Sequence, residues 1–123
     1  MTRNPVGWFE IYVQDMERAR RFYESVFQVK LRRLNAGDLE MWSFPTDADG
    51  KGSSGALVRI PQVKSGGNSV IVYFSSEDCS TEEARVEAAG GRLHRGKTSI
   101  GEYGFIALGF DTEGNMFGIH SLR

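Results

Sequence analysis

A chain of 123 residues, 40% hydrophobic and 11% aromatic, is long enough to bury a core and is expected to form one domain. Fifteen Lys and Arg stand against sixteen Asp and Glu, a formal net charge of −1, and only Lys30-Leu31-Arg32-Arg33 forms a short basic cluster. That balance argues against a nucleic-acid or polybasic membrane surface, and no apolar run approaches the roughly 20 residues of a membrane span.

Cys79 is the sole cysteine, so no disulfide can form within the chain. With no apolar stretch of signal-peptide type near residue 1, a reducing cytoplasm is the expected setting. The first stretch with a clear pattern is Trp8 to Tyr23. Alternation puts Phe9, Ile11 and Val13 on one strand face and Trp8, Glu10 and Tyr12 on the other. Asp15 is placed to cap the helix that follows. Met16, Ala19, Tyr23, Val26 and Phe27 recur at three- and four-residue steps and form its buried stripe.

Val29–Leu34 and Leu39–Phe44 read as a hairpin around Asn35-Ala36-Gly37-Asp38, with Trp42 in the second strand. Residues 45–55 form a polar, glycine-rich loop, and Ala56–Ile60 is a further strand. Its apolar face is read as Ala56, Val58 and Ile60, which leaves Leu57 and Arg59 opposite. Residues 61–68 read as a linker with Gly66-Gly67.

The pattern then restarts with a strand at Ser69–Phe74 and an acidic turn at 75–79. Ser80-Thr81-Glu82-Glu83 is a capping box opening a short helix that Gly90-Gly91 ends. Strands follow at Arg92–Thr98, Gly104–Phe110 and Asn115–Leu122, the last two joined by the turn Asp111-Thr112-Glu113-Gly114. The chain thus reads βαβββ, linker, βαβββ, with a period of about 60 residues in element order. The expected fold class is α+β: two βαβββ modules, at about 5–61 and 69–123 around a linker at about 62–68, pairing into a curved, cup-like mixed sheet with a central cleft.

Asp15-Met16-Glu17-Arg18-Ala19-Arg20-Arg21-Phe22-Tyr23, the helix end Ala88-Ala89-Gly90-Gly91 and the closing Asp111-Thr112-Glu113-Gly114-Asn115 resemble the vicinal oxygen chelate superfamily. That superfamily holds glyoxalase I, extradiol dioxygenases, fosfomycin-modifying enzymes and bleomycin-resistance proteins. The resemblance covers nearly the whole chain. It implies the fold; it does not by itself imply one chemistry. Enzymatic members hold a divalent metal with one His, Glu or Gln from each of four strands. Carried over, those positions fall at Trp8, within Ala56 to Val58, near Val70 or Ile71, and at Gly118. None of these side chains supplies the oxygen or imidazole donors such sites need. The resemblance therefore implies a member without the metal and without another cofactor, akin to uncharacterised proteins related to lactoylglutathione lyase.

Glu10 and His120 each lie two residues beyond a former ligand position and are expected to face the cleft. As a pair they suit an acid and a base, with imidazole titrating near neutrality; as an ordinary buried pair they would satisfy one another. Arg59 is a candidate anion clamp or a solvent-edge arginine. Trp8, Tyr12 and Trp42 are candidate ligand contacts or ordinary core. The expected function is binding of a hydrophobic or aromatic metabolite or antibiotic, in a homodimer with no nucleic-acid or membrane partner. The alternatives are a lyase or isomerase using Glu10 and His120, and an interaction module without a ligand.

Overall fold

Alternation and helical periodicity give this chain its expected elements almost in full. The structure, a computed structural model, describes residues 8–37, 39–47, 49–50, 52–67 and 71–123, the side chains of Trp8 and Tyr103 excepted. The order is β1 (Trp8–Tyr12), α1 (Met16–Phe27), β2 (Arg32–Ala36), β3 (Leu39–Ser43), β4 (Ser54–Arg59), β5 (Val72–Ser75), α2 (Cys79–Val86), β6 (Arg92–Ser99), a 3₁₀ turn (Gly101–Tyr103), β7 (Phe105–Phe110) and β8 (Met116–Ser121). The βαβββ unit occurs twice. Each unit builds a four-stranded mixed sheet, ordered β1-β4-β3-β2 and β5-β8-β7-β6. In each, the first and last strands pair in parallel, and the helix and hairpin supply the crossover that parallel neighbours require. The expected beginning of the fifth strand at Ser69 and Val70 lies outside the described residues.

Local chemistry explains the helix boundaries. The Asp15 carboxylate accepts the Arg18 amide at 3.1 Å, opening α1, and Gln28 closes it in the left-handed region at φ 54°. The second strand begins at Arg32 instead of Val29. The segment between is held by Glu24, whose Oε2 accepts the Leu31 amide at 2.9 Å. At α2 the expected capping box is corrected. Asp78, not Ser80, is the N-cap and accepts from the Ser80 amide and hydroxyl at 3.1 and 2.7 Å, while Glu83 turns to the Lys97 amide of β6 at 2.7 Å.

Lys97 Nζ also lies 2.9 Å from Asp78 Oδ1, and this bond, with those from Ser80, holds the carboxyl well below the usual aspartate range. Depression of a folded-state carboxyl stabilises the fold above the unfolded value near 4, and that contribution is lost as pH falls through the folded value. Asp78→Asn is therefore expected to flatten the dependence of melting temperature on pH between about 5 and 2, relative to the parent. Parallel curves for the two proteins would remove the assignment.

The core lies between the helices and one face of both sheets. Met16, Ala19, Phe22, Tyr23 and Val26 of α1 are buried there, so the stripe gains Phe22 while Phe27 sits at its margin. Phe74 of β5 stacks on Phe27 at 4.7 Å between ring centroids, and Phe117 of β8 stands edge-on to Phe22 and Tyr23 at 5.8 and 5.9 Å. Phe9 of β1 meets Phe74 of β5 edge-on at 5.7 Å, which carries the packing across the seam between the sheets.

The β7–β8 turn locks the second half to the first. Buried Asp111 accepts the Tyr23 hydroxyl at 2.7 Å and the amides of Glu113 and Asn115, each at 2.8 Å. Glu113, its side chain only 1% exposed, accepts the Gln14 and Asp15 amides and pairs with Arg18. The turn that reads locally as a hairpin connection is thus also a clamp on the start of α1.

Candidate functional site

The face of the sheets turned away from the helices is set by strand register. On β1 it carries Glu10 and Tyr12, whose strand partners on β4 are Ala56 and Val58. On β5 it carries Tyr73 and Ser75, opposite Gly118 and His120 of β8, and β7 continues it with Ile106 beside His120 and Leu108 beside Gly118. The two halves of this face differ sharply in exposure. Ala56 and Val58 are 0% and 1% exposed, whereas Tyr73 is 46% exposed and Ile71 and Ile100 nearly as open. The β1–β4 part of this face is closed, the hairpin leaves Leu39 open at 38%, and the second half carries the more exposed Tyr73 beside Ile71 and Ile100.

That half forms a cup of about 400 Å³ lined by Tyr73, Ser75, Ile100, Ile106 and His120. The volume falls within the range of small-molecule sites, roughly 300–1,000 Å³. Ile100 reaches its rim because the 100–104 loop closes on itself, with the Ile100 amide donating to the Gly104 carbonyl at 2.8 Å. Gly104 has φ 104°, and a Cβ there would overlap the Ser121 carbonyl, so the loop needs glycine at this point. Gly118 has the same requirement from the other side: the Tyr73 ring lies where its side chain would project.

Glu10 and Tyr12 line a different and smaller cavity, about 210 Å³, shared with Lys64, Asn115 and Met116. Tyr12 donates its hydroxyl to Glu10 at 2.7 Å, and that bond, reinforced by partial burial and the carboxylate's charge, raises the phenol above the usual tyrosine range. Glu10 and His120 therefore both have the parity that faces away from the helices, but they border separate cavities, not the common one expected.

Register reverses the expected face of the fourth strand and decides between the two alternatives for Trp42. Leu57 is opposite Ile11 and belongs to the core, so Arg59, two residues on, has the helix-side parity; its Nε donates to the Gln14 carbonyl at 3.1 Å. Trp42 is opposite Leu57, on the helix side as well, with the Arg20 guanidinium 3.6 Å from its ring centroid. Tyr12 and Trp42 thus lie on opposite faces and do not form a common aromatic wall. The side chain of Trp8 lies outside the described residues. Sequence reasoning passes over Tyr73, although the alternation of Ile71, Tyr73 and Ser75 in a short strand is enough to place it on this face.

The residues at the expected metal positions do not fit a divalent cation. Gly118 offers no donor, Ala56, Leu57, Val58 and Ile71 offer hydrocarbon, and the neighbour that fills the Gly118 position is a phenol ring. Among the described residues, no three His, Cys, Asp or Glu side chains gather into a group that could hold a metal ion. No helix of the described residues is long and apolar enough to cross a membrane.

Paired βαβββ modules with an open concave sheet face define a class of small α+β proteins built around a cleft. A model of the Glyoxalase/Bleomycin resistance protein/Dioxygenase superfamily matches residues 6–119, and the chain belongs to that superfamily. Among solved structures it is similar to the hypothetical protein SA1046 from S. aureus, at 18% identity and TM-score 0.74, over 98% of this chain and 95% of that one. It is similar to TnmS3, an antibiotic-binding protein from Streptomyces sp. CB03234, at 23% identity and TM-score 0.71, over 98% of both chains. Glyoxalase I from Zea mays matches at 21% identity and TM-score 0.75 over 99% of this chain, which spans 47% of that protein. No curated protein matches the chain.

Proposed function

We propose that this protein binds a hydrophobic or aromatic small molecule in the cup of its second sheet, without a metal ion. The observation that carries the reading is the open, mostly apolar cup formed by Tyr73, Ile100 and Ile106 beside Ser75 and His120. Likeness to an antibiotic-binding protein over the full length of both chains agrees with it. The acid–base alternative is less supported, because among the described residues Glu10 and His120 border different cavities, whereas a shared proton transfer needs one.

The test uses 2-naphthamide, a neutral aromatic probe. At ten times its dissociation constant it is expected to stabilise the protein by about 1.4 kcal/mol, read as a rise in melting temperature. Ile106→Asp, which puts a charge on the cup floor, is expected to abolish that rise. A rise unchanged in Ile106→Asp would move the site elsewhere, and stoichiometric divalent metal in the purified protein would end the metal-free reading.

A further inference from the structure

We infer that the ligand is an amphipathic anion: an apolar or aromatic body carrying a carboxylate, held by Arg95 and Arg92 at the outer edge of the cup. This rests on the binding reading above and adds the charge of the ligand to it. The four strands of the second sheet contain no Asp or Glu, yet β6 alone carries Arg92, His94, Arg95 and Lys97.

Register divides those basic residues between the faces. Arg92 is opposite Phe110 and Arg95 opposite Leu108, and Leu108 is in turn opposite Gly118. Both arginines therefore stand on the face that holds Tyr73 and His120. Lys97 is engaged differently, with its Nζ on Asp78 of α2 and 4.7 Å from the Phe105 ring centroid. Arg92 lies 4.6 Å from the Phe110 ring centroid, and its planar face is occupied while its edge is not. Among the described residues, Arg95 makes no ion pair and no side-chain hydrogen bond.

The surface this creates runs from apolar to cationic. Beyond the cup's Tyr73 and Ile106, Leu108 and Phe110 continue the same face of β7; Arg95 stands one strand across and two residues along from Ile106, about 8 Å at ordinary strand spacing, with Arg92 farther off at the Phe110 end. A fused aromatic ring bearing a carboxylate spans that distance, and the guanidinium fork matches a carboxylate in two parallel hydrogen bonds. Among the described residues, the carboxylates nearest the cup in sequence are the exposed Glu102, two residues after Ile100, and Glu77, two residues after Ser75; neither lines it, and none stands beside Arg95 on β6. A cationic ligand would meet the basic edge at a cost, and a neutral one would leave it unused.

Three probes of one shape decide the matter: 2-naphthoate, 2-naphthamide and 2-naphthylmethylammonium, titrated calorimetrically into the full chain. The naphthoate is expected to bind about tenfold more tightly than the amide, the worth of one charge-assisted hydrogen bond. Arg92→Gln with Arg95→Gln is expected to erase that difference while leaving the amide affinity in place, with circular dichroism confirming the fold. Equal binding of naphthoate and amide, or tightest binding of the ammonium, would overturn the anion inference and leave the binding reading standing. A naphthoate preference that survives the double replacement would overturn the assignment to these arginines. Binding of none of the three would remove both.

Discussion

Replacing Asp111 by alanine is expected to lower the unfolding free energy by about 4 kcal/mol, measured by chemical denaturation. The carboxylate is 5% exposed and accepts the Tyr23 hydroxyl, the amides of Glu113 and Asn115, and the Asn115 side-chain amide at 3.0 Å. Hydrogen bonds to a charged group contribute about 1.5–3 kcal/mol each, and buried donors left without an acceptor add their desolvation cost. Water entering the turn recovers part of that sum, which sets the expectation below the total. The loss is long-range in its consequences, because Tyr23 belongs to α1 and Asp111 to the β7–β8 turn. A change under about 1 kcal/mol would show that the network adds little beyond local turn geometry.

The same network has a pH signature. Burial first, then the charge and hydrogen bond of Asp111, push the Tyr23 phenol well above its ordinary value. Because the folded state holds this proton more tightly than the unfolded chain, the contribution is complete below the unfolded value near 10. It is lost as pH rises from there through the folded value. Tyr23→Phe is expected to be less stable than the parent at neutral pH and to shed this part of the alkaline fall.

Phe117→Ala is expected to cost about 3–5 kcal/mol, the range for truncating a buried aromatic. The ring is 1% exposed and meets Phe22, Tyr23, Phe27 and Phe74, so it joins α1 to β5 and β8. The rings around it pin one another, so a cavity there closes only in part. Phe117→Leu keeps most of the volume and is expected to cost about half as much. The measurement is again denaturant midpoint at constant slope; a changed slope would mean altered compactness of an end state or loss of two-state unfolding.

These two sites lie on the helix side of the sheets, and the candidate ligand cup lies on the other. On the proposed reading, stability and recognition therefore lie on opposite faces of the sheets. Replacing Ile106 or Arg95, on the open face, is expected to change binding with little change in unfolding midpoint, whereas Asp111 and Phe117 change stability first.

Much of this fold is legible in the amino-acid order, and the exceptions are instructive. Phe9, Ile11 and Val13 alternate with polar or amphipathic neighbours, so the burial of β1 follows directly from period two. The run Ala56-Leu57-Val58 is apolar at every position. Alternation is silent there, and only pairing of Leu57 with Ile11 decides which parity meets the helix. That ambiguity decides the parity of Arg59, and pairing with Leu57 then places Trp42 on the helix side. The second helix offers two acceptors at its start, Asp78 and Ser80. Asp78 wins because Glu83, the other half of the expected box, is taken by the Lys97 amide on β6.

By itself, the sequence determined the order of elements, the repeat of βαβββ and the buried stripe of α1. Each of these depends on residue type and local spacing, which are properties of a chain before it folds. Tertiary structure alone decided that Tyr73 covers Gly118, that Glu10 and His120 border separate cavities, and that Arg92 and Arg95 share a face with the open cup. Those facts depend on strand register between segments dozens of residues apart, where a shift of one position turns every side chain to the opposite face.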